Sequence, residues 1–191
     1  MQAKRGKKNT HHRQKRGDYR IFIGAFPEGE LIDRLQQVRE QYDLRTSQIT
    51  APHVTIAGTY WRDGAPSAEN EANTLAQFAA LEGSIPAFDM TLGGIHTFGK
   101  RVVYLGAQAD AMLSIRETLI ETLGRDKHKT FSPHLTLAMR LKPDGVRQMV
   151  EELRETEWES SRCTVRIETL QYMLRGPEDP AWRCIATLPL T

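Results

Sequence analysis

Two hydrophobic periods take turns along the chain. "RIFIGAF" (20–26) is a short apolar run bounded by a charge and a proline, which predicts a buried strand. Pro27 then opens a helix through about Tyr42, with Leu31, Leu35, Val38 and Tyr42 recurring on one face. "HVTIAG" (53–58) predicts a second strand. After a loop containing Gly and Pro comes a helix near 68–81 that carries Ala68, Leu75 and Phe78. Residues 87–107 read as two strands joined tightly at Gly99-Lys100. A helix over 110–123 presents Met112, Ile115, Leu119 and Leu123; 134–139 is a strand; and 144–156 is a helix with Val146, Met149, Val150 and Leu153. Strands at about 162–174 and 182–189 close the chain. The order βαβα, ββ, αβα, ββ predicts an α+β fold of two related lobes, not a doubly wound sheet.

Each lobe contains the same phrase. "PHVTI" (52–56) and "PHLTL" (133–137) both spell Pro-His-apolar-Thr-apolar, with the histidines 81 residues apart. Side chains alternate faces along a strand, so His53 and Thr55 point one way while Val54 and Ile56 point into the core. The same holds for His134 and Thr136 against Leu135 and Leu137. One His-x-Thr in a strand carries almost no information. Two copies, both after proline and both in strands of matching lobes, are hard to assign to chance. If two such strands faced each other across a groove, two imidazoles and two hydroxyls would converge on one small group. A tetrahedral phosphate suits that set. The hydroxyls can donate to non-bridging oxygens, and the imidazoles can give and take a proton near neutral pH.

Composition changes this picture little, and charge more. With 191 residues, 39% hydrophobic and 26% charged, the chain has the make-up of one soluble domain with a sizeable core. No apolar run is long enough for a membrane span. Cys163 and Cys184 lack metal-ligand spacing, and a reduced, cytoplasmic protein is expected. The net charge of +2 conceals a basic tail: residues 1–17 carry Lys4, Arg5, Lys7, Lys8, Arg13, Lys15 and Arg16 and no acid. The remainder has 19 basic against 24 acidic residues, a body of charge about −5. Residues 1–17 are therefore expected to form a disordered tail, either simply solvated or touching phosphate backbone, and 18–191 a single domain.

These residues carry a resemblance. With "RIFIGAFP", "PHVTI", "VVYLG" and "SPHLTLA", the chain resembles the two-histidine (2H) phosphoesterase superfamily, in the branch of 2′-5′ RNA ligases and RNA 2′,3′-cyclic phosphodiesterases. The likeness spans roughly residues 19 to 190. It implies two pseudo-symmetric α/β modules with a central cleft lined by the two His-x-Thr strands. It also implies metal-independent opening of a nucleoside 2′,3′-cyclic phosphate to a 2′-phosphate, without cofactor. By that analogy His53 is the general acid and His134 the general base, although the residues alone do not orient the pair. Thr55 and Thr136 would bind the phosphate. Members of this family often have an arginine five residues after the second histidine. Here that position is Met139, with Arg140 one further on. On a regular strand the guanidinium would then face away, and only a bulge would return Arg140 to the substrate as a candidate contact.

The expected partners are RNA ends or small cyclic nucleotides, with no membrane and with the protein a monomer. A 2′-5′ ligase or 2′-5′ oligonucleotide phosphodiesterase would use the same site. A non-catalytic RNA-binding protein would need no titratable pair there, and a zinc hydrolase would need ligand spacings that neither motif has. His96, His128, Tyr60 and Trp61 read more readily as strand, loop or packing residues than as parts of the site.

Overall fold

The computed structural model describes residues 17–128 and 130–191; the expected basic tail falls almost wholly outside them. Strand β1 (Tyr19–Ala25) buries Ile21, Ile23 and Ala25 completely, as its apolar run predicts. Helix α1 (Glu30–Ile49) runs further than expected. It breaks where the periodicity ended, because Asp43 adopts a non-helical backbone (φ −151°, ψ 70°). The Asp43 carboxylate then accepts from the Thr46 amide at 3.0 Å and caps a second helical segment. The buried stripe of α1 is Ile32, Leu35 and Arg39, while Leu31, Val38 and Tyr42 pack at its margin.

Strand β2 (Val54–Arg62) and helix α2 (Ala72–Ala79) follow, then β3 (Phe88–Phe98) and β4 (Val102–Gln108), paired about the expected turn. Helix α3 (Met112–Leu123) buries Met112, Ile115, Leu119 and Leu123 as its spacing requires. Strand β5 (His134–Met139) leads to α4 (Pro143–Arg154) and the short α5 (Glu157–Ser160), whose Trp158 fills the core. The expected strand at 162–174 is in fact two, β6 (Cys163–Ile167) and β7 (Thr169–Arg175), before β8 (Arg183–Pro189). The break has a topological reason. β6 pairs with β3 and β7 with β1, so the chain crosses between the two halves at Glu168.

All eight strands join one sheet in the order β6-β3-β4-β5-β2-β1-β7-β8. Its halves are the two lobes: β1-α1-β2-α2 is repeated as β4-α3-β5-α4, with the β1–β2 and β4–β5 pairs both antiparallel. The motif strands are therefore lateral neighbours at the centre of the sheet, not walls facing across a groove. Helix α1 packs against β5 and α3 against β2, so each lobe's helix braces the other lobe's motif strand. Cys163 and Cys184 are free and lie on the strands at opposite edges of the sheet. Among the described residues no helix is long and apolar enough to cross a membrane.

A buried ion pair fixes β2. Arg116 of α3 bonds the Ile56 carbonyl at 2.8 Å and the Asp126 carboxylate at 2.7 Å. Asp126 also accepts from the amides of Gly58 and His128, both at 2.9 Å. Burial opposes its ionisation, but the Arg116, Gly58 and His128 bonds outweigh that and hold its carboxyl below the usual range. Gly58 sits at a bulge with φ 126°, and a Cβ there would come within 2.7 Å of the Phe22 side chain. Removing one partner would strand a buried charge, so Asp126→Ala should cost about 3–5 kcal/mol in urea unfolding.

Candidate active site

The antiparallel register of β2 and β5 places Val54 opposite Leu135. His53 must then lie beside Thr136, and Thr55 beside His134. Val54, Ile56, Leu135 and Leu137 are all completely buried, whereas the two histidines and two threonines are all partly exposed. Four polar side chains therefore form one patch on one face of the sheet, anchored by four apolar side chains on the other.

The prolines explain themselves through the imidazoles. His53 Nδ1 lies 2.9 Å from the Ala51 carbonyl, and His134 Nδ1 lies 2.7 Å from that of Ser132. In both cases the bond spans an intervening proline, which fixes φ and has no amide hydrogen to compete. A carbonyl only accepts, so Nδ1 carries the proton in both rings and Nε2 is left for a ligand. Aromatic rings hold each imidazole in place. Phe22 and Phe26 stack on His53 at centroid distances of 4.8 and 5.0 Å. Phe98 and Tyr104 meet His134 edge-on at 4.8 and 5.0 Å.

Both motif strands also bulge directly after the threonine. Gly24 pairs with Thr55 and Ile23 with Ala57, skipping Ile56. Tyr104 pairs with Thr136 and Val103 with Ala138, skipping Leu137. The second bulge is the device that Arg140 needed. Together with a left-handed backbone at Arg140 (φ 62°), it brings that residue to the lining of the cleft. A cleft of about 690 Å³ opens here, bordered by His53, Thr55, Thr136 and Arg140 as well as by Arg39 and Trp182. That is enough room for a nucleotide-sized ligand.

The remaining candidates do not converge on this patch. His96 lies on β3, exposed, with its ring 5.5 Å from Tyr104. His128 borders a different cavity, with Arg116 and Phe131. Tyr60 is buried, and its hydroxyl donates to the Gly124 carbonyl at 2.9 Å. Trp61 packs against Arg20 and Lys127. Sequence reading missed Arg39 and Trp182. The signal for Arg39 was its place on the apolar stripe of α1, seven residues after Ile32, where a cation would be expected only with a task. Among the described residues no group of three or more His, Cys, Asp or Glu side chains is placed to hold a metal ion.

Burial pushes the His53 imidazole down to about 4; the Ala51 carbonyl opposes this, and the nearby Arg39 and His134 charges reinforce it. The ring is thus neutral in the empty site at pH 7.

Two related lobes joined in one antiparallel sheet, with two imidazoles and two hydroxyls on one face at their junction, define an α+β fold. The profile of the 2′-5′ RNA ligase superfamily matches residues 27–176, and the chain belongs to this family, that of the 2H phosphoesterases. Its phosphodiester chemistry marks the protein as an enzyme. The fold is similar to that of Escherichia coli LigT in apo form, with a TM-score of 0.60 and 17% identity over 90% of this chain and 97% of that one. It is similar also to TT0787 of Thermus thermophilus (TM-score 0.59, 19% identity, 90% and 97% covered). A third similar structure is Escherichia coli LigT complexed with ATP (TM-score 0.59, 17% identity, 90% and 98% covered). No curated protein sequence matches the chain.

Followed by NMR, the His53 ring should change charge near pH 4 in the free protein, against 6.5 for an ordinary histidine. A bound adenosine 2′-phosphate should raise that midpoint, since an adjacent anion favours imidazolium. Because the folded value lies below the unfolded one, the stability His53 contributes is present above pH 6.5 and is lost as pH falls toward 4. A free-state midpoint near 6.5 would contradict this environment.

Proposed function

We propose that the protein is a metal-independent RNA 2′,3′-cyclic phosphodiesterase, opening terminal or small nucleoside 2′,3′-cyclic phosphates to 2′-phosphates. The observation that carries this reading is the patch itself: two imidazoles with Nε2 unengaged by carbonyls and two threonine hydroxyls, all on one face at the β2–β5 junction. LigT structures with ATP and with 3′-AMP record nucleotide binding by that protein, which agrees with a nucleotide substrate here.

In the proposed reaction a water oxygen attacks phosphorus in line with the 3′-oxygen. His134 takes the water proton, the P–O3′ bond breaks, and His53 gives its proton to the departing 3′-oxygen. Thr55 and Thr136 donate to the non-bridging oxygens as charge builds on them. The product is a 2′-phosphomonoester with a free 3′-hydroxyl, and exchange with solvent resets both imidazoles. Since His53 is neutral in the empty site, its proton must arrive with the phosphate anion, whose charge offsets the burial that holds the ring neutral. Replacing the water with a 5′-hydroxyl gives 2′-5′ ligation through the same displacement.

Product analysis with a panel of 2′,3′-cyclic nucleotides should show 2′-phosphates and undiminished turnover in EDTA. Loss of turnover in EDTA with recovery in zinc or manganese would contradict the proposal. A substrate with sulfur at the 3′ bridging position separates the two roles, because a leaving thiolate needs no proton. On it His53→Ala should regain much of its lost rate and His134→Ala should not; the reverse result would exchange the roles.

A further inference from the structure

We propose that the rim of the cleft is a second anion subsite, in which Arg45 and Arg140 hold another phosphate of the substrate. It rests on the phosphodiester reading above and narrows the substrate to a nucleotide or RNA end that carries a phosphate besides the scissile one.

Charge is the first observation. Although the body of the chain is net acidic, five guanidiniums line this one cleft: Arg20, Arg39, Arg45, Arg140 and Arg175. Asp43 is the only carboxylate among the lining residues, and it is occupied, accepting from the amides of Met139 at 2.9 Å and Thr46 at 3.0 Å. A nucleoside 2′,3′-cyclic phosphate brings a single negative charge, far less than this field is built to receive.

The five arginines are not equivalent. Arg39 is fully buried, bonding the Thr46 carbonyl and Gln36, and its Nε has no partner among the described residues. Arg175 is held by the carbonyls of Asp179 and Pro180, and Arg20 lies over the Trp182 ring at 5.1 Å. Arg45 and Arg140 are exposed, and among the described residues neither guanidinium takes part in a hydrogen bond or ion pair.

Local geometry brings those two together. Asp43 both caps the second segment of α1 and bonds the last residue of β5. Arg45 follows Asp43 by two positions and Arg140 follows Met139 by one, so a single hydrogen bond sets them on the same rim. Arg140 is the one described non-glycine residue with positive φ, at 62°. An L residue seldom adopts that conformation, and here it accompanies a side chain turned to the cleft. Two unpaired guanidiniums, each able to donate in a planar fork, match the oxygens of one phosphate.

Calorimetry on the full chain with product-like ligands tests this without turnover. The probes are adenosine 2′-phosphate, adenosine 2′,5′-bisphosphate and the 3′-5′ dinucleotide ApA ending in a 2′-phosphate. At fixed salt, a ligand with the additional phosphate should bind at least about tenfold tighter than the monophosphate. The advantage should shrink in Arg45→Gln, which touches no internal bond, and approach unity when Arg140→Gly is added, glycine being at ease at positive φ. A gain for the bisphosphate alone assigns the subsite to a terminal 5′-phosphate, and a gain for the dinucleotide alone to the RNA backbone. Equal affinity for all three ligands, or an advantage that survives both substitutions, overturns the subsite. A protein that prefers the two-phosphate ligands but opens no cyclic phosphate would contradict the activity proposed above and leave the subsite standing.

Discussion

The contact of Val54 with Leu135 at the middle of the sheet is the constraint on which the arrangement depends. It is the one place where the motif strands of the two lobes share a register. Shifting either strand by one residue would send its histidine and threonine to the core face and its aliphatic residues to the cleft. Val54, Ile56, Leu135 and Leu137 are completely buried, so the hydrophobic effect itself opposes such a slip. Each full aliphatic side chain contributes about 1.5–3 kcal/mol on burial. The polar patch is thus held in place by apolar packing on its reverse side.

Around that contact the lobes repeat one set of devices: a proline before the histidine, an Nδ1 bond to the carbonyl beyond it, flanking aromatic rings and a bulge after the threonine. They differ where the cleft is closed. On the first lobe's side Phe22 and Phe26 stack on His53, with Trp182 packed edge-on against Phe22 at 4.6 Å. On the second lobe's side the end of β5 meets the kinked half of α1 through Asp43. A nearly symmetric polar patch therefore adjoins an asymmetric cleft lined by five arginines, which His53, Thr55 and Thr136 border directly.

Much of this was legible in the sequence because it is local. The alternation of apolar and polar residues in "HVTI" and "HLTL" settles which side chains share a face, and the helical stripe of α3 was complete. What stayed hidden depends on distant partners. No local pattern distinguishes strands that pair side by side from strands that face each other, and the β2–β5 adjacency arises only from their long-range pairing. The split of 162–174 into β6 and β7 was invisible because both pieces are strand-like, and only their partners β3 and β1 separate them. The bond from the Met139 amide to Asp43 joins residues 96 positions apart, beyond the reach of any local pattern. The route of Arg140 into the cleft likewise needed a bulge that periodicity does not encode.

In the proposed reaction the two lobes supply one imidazole each to a single proton-transfer pair. Kinetics of His53→Ala, His134→Ala and the double variant on a 2′,3′-cyclic nucleotide test it directly. Each single substitution should lower kcat/KM by about 10² to 10⁴. The double variant should be little worse than either, because removing one member already disables the pair. A folded single variant with wild-type turnover, or losses that multiply in the double variant, would contradict the account.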